Sequence, residues 1–248
     1  MRVLGLAVRR SRVPVLVNVS HSSLAHALEL AGHALDTGAA GILLMPPYFY
    51  RYNDGQILRF YEDFAGTLRG AIPLYLYNLP FFTNPVSQEV ALELLGSQMY
   101  QGIKDSSGEW PLFAALLELR TRTPFSLLAG NELIYLRARA GGADGIVSGV
   151  AAALPELMVA LDRAIVDKDN ERARHLNGHL QTFLEWIGRF PASVGIKQAA
   201  AARGWIVDHL HVPLDRRTGA EAGAYRVWFD RWLPEVLADC SRAIPVRA

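Results

Sequence analysis

Cysteine is almost absent from this sequence, since Cys240 is the single one in 248 residues. One thiol excludes an internal disulfide framework and leaves no thiolate pair for a metal site. A reducing, cytoplasmic setting is therefore the expectation, and secretion is unsupported.

The sequence also lacks long apolar runs and an excess of either charge. The apolar part of residues 1–10 is too short for a signal peptide, and no stretch approaches the roughly 18 apolar residues of a membrane span. The formal net charge is +1, and the few basic pairs are too short to form a stripe for nucleic acid. We therefore expect the partner to be a small molecule, and we expect neither nucleic acid nor a membrane to be a partner.

Short apolar runs alternate with segments of helical spacing. Six runs are predicted to be strands, at residues 13–19, 42–45, 72–78, 101–104, 125–130 and 145–149. Strands that are nearly all apolar and separated by helices are typical of a parallel sheet covered by helices. After Pro155 the pattern is helical, over residues 156–166, 170–187, 194–203 and 221–238.

An internal repeat favours a barrel. Residues 38–43 read Gly-Ala-Ala-Gly-Ile-Leu and residues 142–147 read Gly-Ala-Asp-Gly-Ile-Val, so a glycine ends a helix and a strand begins in both places. A doubly wound dinucleotide fold is the alternative to a barrel. It is the less favoured of the two, because no Gly-x-Gly-x-x-Gly phosphate loop follows the first run. We predict an α/β fold, a (β/α)8 TIM barrel that is N-terminally incomplete. Residues 1–160 would form barrel units, and residues 161–248 would be C-terminal helices that complete and extend it.

Lys104 carries the strongest chemical signal. It ends the fourth run and is followed at once by Asp-Ser-Ser-Gly, where such strands normally end in apolar or turn residues. Sites in parallel barrels form at the C-terminal ends of the strands. A lysine there loses hydration of its ammonium form, which favours the neutral amine that a Schiff-base enzyme needs. The alternative is a strand-end lysine whose ammonium reaches water.

Tyr77 is the candidate partner of Lys104. Tyr75 and Tyr77 share a face of the third strand, and both point into the barrel if Leu74 and Leu76 pack against helices. A phenol near the mouth can give and take the proton that carbinolamine formation and retro-aldol cleavage require. The alternative is an aromatic core residue whose hydroxyl bonds to the backbone.

These segments resemble a known family. Residues 77–80, Tyr-Asn-Leu-Pro, and residues 102–108, Gly-Ile-Lys-Asp-Ser-Ser-Gly, are similar to two signature segments of the dihydrodipicolinate synthase and N-acetylneuraminate lyase superfamily, the pyruvate-dependent class I aldolases. Further similar segments follow in the family's order, at residues 46–49, 130–132, 142–148 and 154–157. The resemblance therefore covers nearly the whole chain.

The resemblance implies roles for individual residues. Lys104 would form the Schiff base with pyruvate or another 2-keto acid, and Tyr77 would relay the proton. Val147 would lie where the family places a backbone contact to the lysine site, and Tyr48 and Gly130 would belong to the substrate site. No metal or other cofactor is expected, because the iminium is itself the electron sink. The family also implies a homotetramer or homodimer.

Three departures from the family pattern bear on function. The family's preceding strand, helix and strand, with a Gly-Thr-Thr-Gly-Glu-like loop for the pyruvate carboxylate, have no counterpart here. Residues 79–84 offer aromatics where dihydrodipicolinate synthases carry an arginine for a second carboxylate. The paired tyrosines of the family appear as Tyr48 and Phe49, in a loop that looks more like that of the 2-keto-3-deoxy-sugar-acid aldolases.

The sequence thus predicts a Schiff-base lyase that cleaves or forms a 2-keto-3-deoxy sugar acid. Dihydrodipicolinate synthesis is the alternative within the family. A second alternative is a catalytically impaired barrel that binds a 2-keto acid or has a structural role, because the carboxylate-binding loop is absent. The open edges of a six-stranded sheet further predict self-association.

His175 and His179 could in principle bind zinc. Their spacing of four residues puts both rings on one face of a predicted helix. No third ligand accompanies them in the sequence, so we expect a solvated helix face and no metal.

Overall fold

The computed structural model describes residues 2–241, which divide into two compact units. Within that range, unit 1 runs to Asn131 and also takes Gly141–Val147, while unit 2 takes Glu132–Ala140 and the chain from Ser148 onward. No helix between residues 2 and 241 combines the length and the apolar character needed to cross a membrane.

Unit 1 contains one sheet of six strands, each paired in parallel with the next along the chain. The strands are β1 (Leu16–Asn18), β2 (Gly41–Leu44), β3 (Leu74–Asn78), β4 (Gly102–Asp105), β5 (Ser126–Ala129) and β6 (Gly145–Ile146). Its helices are α1 (Arg2–Arg10), α2 (Leu24–Thr37), α3 (Asp54–Leu68), α4 (Gln88–Gly96) and α5 (Trp110–Arg120). This order confirms the predicted alternation of strands and helices.

The strands are shorter than several of the apolar runs that predicted them. The run at residues 13–19 yields a β1 of three residues. Pro14 has no N–H to donate to a neighbouring strand, and Val13 is exposed. The apolar run therefore locates the strand, but the paired part begins only after Pro14, which cannot donate a backbone hydrogen bond.

Local chemistry explains where the helices begin and end. Gly38 ends α2 in the left-handed conformation, with φ of 78°, and its N–H bonds to carbonyls of the last turn. Asn53 starts α3 with a capping box, since its side chain accepts the N–H of Gln56 and the Gln56 side chain accepts the N–H of Asn53. These caps fix the end of α2 and the start of α3.

Unit 2 is helical. Its helices are α6 (Tyr135–Ala140), α7 (Pro155–Val166), α8 (Asn170–Ile187), α9 (Val194–Ala202) and α10 (Arg216–Ser241). Buried aromatic rings join α8 to α10, with Phe183 stacked on Trp232 at 5.9 Å. The last helix starts earlier than the predicted residue 221 because the Asp215 carboxylate accepts the N–H groups of Arg217 and Thr218.

Candidate active site

The candidate lysine and tyrosine meet at the carboxyl ends of two paired strands. Tyr77 of β3 lies directly opposite Lys104 of β4 in the parallel register. The Lys104 Nζ lies over the Tyr77 ring, 4.0 Å from its centroid. Leu74 and Leu76 are buried on the other face of β3, as the alternation of side chains requires. Two residues 27 positions apart are thus placed in contact by one strand register.

Gly130 lies against the stem of Lys104, directly after β5. A Cβ on Gly130 would collide with the Ser106 hydroxyl and lie 3.0 Å from Lys104 Cε. The Gly130 N–H donates to the Asp105 carbonyl at 2.7 Å. This position therefore has no room for a side chain.

A buried polar network holds the ends of β3 and β4 together. The fully buried Asp105 carboxylate accepts hydrogen bonds from Asn78 Nδ2 and from the Ser107 hydroxyl, both at 2.8 Å. Asn78 Oδ1 in turn accepts the Val86 N–H at 3.0 Å. The sequence analysis did not identify this network. A signal was present, because a polar residue directly follows both Tyr77 and Lys104 in the sequence. The network keeps Tyr77 and Lys104 side by side.

Asp105 leads to a prediction about pH. Burial raises the pKa of its carboxyl above the ordinary value, against the opposing effect of the hydrogen bonds from Ser107 and Asn78. The folded protein thus holds this proton more tightly than the unfolded chain. The stability that the group contributes is lost as pH rises from the ordinary value of about 3.9 through the raised pKa, and regained as pH falls.

Asp105→Asn removes that titration. The measurement is the free energy of unfolding of both proteins in urea. As pH falls from about 7 toward about 4, we expect the value for the wild type to rise relative to that for Asp105→Asn. Parallel pH profiles for the two proteins would contradict the assignment.

Asn84 fixes the loop that carries Tyr48. Its buried Nδ2 donates to the carbonyls of Pro47 and Tyr50, both at 2.7 Å. The Ser22 hydroxyl donates to the Tyr48 carbonyl at 2.6 Å and accepts the Tyr48 N–H at 3.0 Å. Tyr48 is thus held after β2, at the same edge of the sheet as the lysine. Asn84 lies after β3 and was missed in the sequence, because the contact joins two loops.

Val147 directly follows β6, and its N–H donates to the Ala129 carbonyl at 2.9 Å. This bond extends the pairing of β5 with β6 as far as the start of Gly130. The structure therefore gathers Lys104, Tyr77 and Gly130 into one cluster, and places Tyr48 and Val147 in loops at the same edge of the sheet.

The expectation of a solvated helix face is wrong for His179 but agrees with the exposure of His175. Both rings contact Asp239, with Nε2 to Oδ2 distances of 2.7 and 2.8 Å. The His179 side chain is only 11% exposed, whereas that of His175, on the same face of α8, is 56% exposed. A third ligand-type residue exists, but it comes from another helix.

Comparisons with known proteins agree with this architecture. The dihydrodipicolinate synthase of Bacteroides thetaiotaomicron is 27% identical, with a TM-score of 0.80 over 93% of this chain and 80% of that one. The Acinetobacter baumannii dihydrodipicolinate synthase, whose structure is a complex with pyruvate, is 24% identical, with a TM-score of 0.78 over 96% of this chain and 79% of that one. The predicted TIM-barrel fold class is confirmed, with six of its strands in the described residues.

Sequence comparison leads to the family. The 4-hydroxy-tetrahydrodipicolinate synthase of Methanosarcina mazei is 29% identical over 213 residues, which cover 86% of this chain and 72% of that protein. The model of the dihydrodipicolinate synthetase family matches residues 3–222. This chain belongs to the dihydrodipicolinate synthetase family, a family of lyases.

Proposed function

We propose that this chain is a class I lyase whose Lys104 amine forms an imine with pyruvate or another 2-keto acid. The observation that carries the proposal is the Lys104 Nζ, 4.0 Å from the centroid of the Tyr77 ring, at the carboxyl ends of two paired strands. Membership of the family supports the reaction class. The Acinetobacter baumannii relative, solved with pyruvate, supports the choice of ligand.

The proposed reaction needs a nucleophilic amine and a proton relay. The neutral Lys104 amine attacks the keto carbon, and loss of water gives an iminium. When the C3–C4 bond breaks, its electron pair moves into the iminium, and the C4 hydroxyl loses its proton, so an aldehyde and an enamine form. Protonation at C3 and hydrolysis then release pyruvate and restore the amine. The Tyr77 phenol would relay these protons.

The Tyr77 ring suits both states of the lysine nitrogen. The negative face of an aromatic ring attracts a cation by about 0.5–2 kcal/mol. The nitrogen is a cation both as the ammonium and as the iminium, so the same contact can hold it before and after the imine forms.

For the substrate we propose a 2-keto-3-deoxy sugar acid. The chain presents Phe81 and Phe82 after β3, and these side chains are 73% and 69% exposed. Binding of a second substrate carboxylate at this position would favour the paired N–H groups of an arginine, which the two phenylalanines do not supply. The alternative is synthesis of 4-hydroxy-tetrahydrodipicolinate, which the Methanosarcina mazei relative favours. Pyruvate release from the sugar acid would support our proposal, and turnover of pyruvate with aspartate semialdehyde alone would refute it.

Borohydride trapping tests the imine itself. The chain has three lysines, Lys104, Lys168 and Lys197, so peptide mapping can assign an adduct without ambiguity. After incubation with pyruvate and borohydride we expect one adduct per chain, on the Lys104 peptide. Failure to trap pyruvate on protein shown to be folded would instead favour the catalytically impaired alternative.

Tyr77→Phe separates the hydroxyl from the ring. The variant keeps a ring beneath Lys104, so we expect its thermal stability to change little. Loss of a general acid or base should lower kcat by about 10²- to 10⁴-fold, while pyruvate trapping persists. Tyr75→Phe is the matched control, because it removes the hydroxyl of the other tyrosine on the same face of β3. Equal kcat values for the two variants would rule out the relay role.

A further inference from the structure

A cluster of two histidines and one aspartate has no part in the proposed reaction. It lies in unit 2, where α8 supplies His175 and His179 and the end of α10 supplies Asp239. The three ligand-type atoms all lie within 4.8 Å of one another. We propose that this cluster binds a zinc ion.

The geometry is close to that of a zinc site. Ligand atoms at about 2.1 Å from a tetrahedral ion lie roughly 3.4 Å apart. Both Nε2 to Oδ2 distances are now those of hydrogen bonds, 2.7 and 2.8 Å. Each contact would have to open by roughly 0.6–0.7 Å, within the reach of a rotamer adjustment.

The ligand types match the ion. Two imidazoles and one carboxylate are ligands that zinc accepts, whereas Mg²⁺ and Ca²⁺ prefer oxygen alone. With three protein ligands, water can take a fourth position. Magnesium is therefore the ion that should fail to bind.

The three proposed ligands range from buried to half exposed, so an ion can reach the cluster from solvent on the side of His175. The side chain of Asp239 is 6% exposed, that of His179 is 11% and that of His175 is 56%. The Trp232 ring packs edge-on against His179 with its centroid 5.9 Å away, so one side of the cluster is apolar. An apolar wall on one side and a half-exposed ligand on the other favour binding from solvent to a partly dry site.

Binding requires a rearrangement of protons. In the hydrogen-bonded arrangement an Nε2 that donates to Asp239 carries a hydrogen, and a ligand nitrogen must present its lone pair instead. That hydrogen moves to Nδ1 of the same ring by exchange with solvent, or leaves as a proton if the ring was an imidazolium. No oxidation or reduction is involved.

One nearby charge opposes the ion. Arg172, one turn before His175 on α8, donates to the backbone carbonyls of Asp239 and Cys240 at 3.1 and 3.2 Å. Its guanidinium partly offsets the negative charge at the end of α10, so we expect moderate rather than very tight affinity.

A bound ion would cross-link two distant parts of the chain. Asp239 lies 64 residues from His175 and 60 residues from His179. An ion that binds the folded unit and not the unfolded chain stabilises the folded state, more so as its free concentration exceeds the Kd. The expected role is structural, joining α8 to α10.

Calorimetric titration of the chelator-treated protein with Zn²⁺ is the test. We expect one site per chain, and a rise in Tm of about 5 °C or more at a free zinc concentration near 100 Kd. Magnesium should give neither effect. His175→Ala and Asp239→Asn should each weaken zinc binding by more than about tenfold.

The chain offers its own control. His209 and His211 form another close pair of rings, 5.6 Å between centroids, and both are exposed. His209→Ala should leave zinc binding unchanged. His175 is half exposed, so its variant is expected to fold even if a change at buried Asp239 does not. Absence of zinc binding, or stoichiometric binding that survives His175→Ala, would overturn the proposal.

Discussion

Lys104→Ala is expected to abolish both pyruvate trapping and turnover. The alanine variant has no amine at this position to form the imine. The other lysines belong to unit 2, where Lys168 lies in the turn between α7 and α8 and Lys197 lies in α9. A loss of more than about 10³-fold in kcat is expected when the nucleophile of a covalent mechanism is removed. Intact mass after reduction with borohydride measures the first effect, and pyruvate release measures the second.

A fold defect can be separated from this chemical effect. Lys104→Arg keeps a cation over the Tyr77 ring, but arginine stays protonated and forms no imine. We expect this variant to unfold at nearly the wild-type temperature and to trap no pyruvate. Lys197→Ala removes a partly exposed lysine and should leave trapping intact. An adduct that survives in Lys104→Ala would refute the assignment.

Gly130→Ala should show the second largest effect, although it changes neither charge nor any reacting atom. The added methyl group would overlap the Ser106 hydroxyl and lie 3.0 Å from Lys104 Cε. Overpacking of this kind costs about 1–3 kcal/mol of stability. Because Lys104 must move, we also expect pyruvate trapping to slow by about 10²-fold, since misplacement by about 1 Å has that effect.

Two further variants identify the cause. Gly223→Ala places the same methyl group in α10, where nothing lies within 4 Å, and should stabilise the protein by about 0.5–1 kcal/mol. Ser106→Gly combined with Gly130→Ala removes the overlapping hydroxyl and should recover stability, while the contact with Lys104 remains. Thermal unfolding and trapping rates measure both effects. A Gly130→Ala variant that traps pyruvate at the wild-type rate would show that the lysine has room to move.

The sequence alone determined the fold class and the central pair of the candidate site. Strand positions follow from short apolar runs, and helix ends follow from glycine and cap residues, both of which are local signals. Consecutive parallel strands separated by helices tend to be neighbours, so adjacent strand ends can be inferred without coordinates. That rule is sufficient to place Tyr77 beside Lys104.

Only the tertiary structure decided the contacts between distant segments. The exclusion of any side chain at Gly130 depends on where Ser106 and Lys104 lie, and no local pattern at residue 130 reveals it. Asn84 fixes the loop after β2 through carbonyls that belong to another connection. Asp239 meets His179 from a second helix 60 residues along the chain. Periodicity reports which face of a helix is apolar, but helix packing decides which side chain of another helix that face meets.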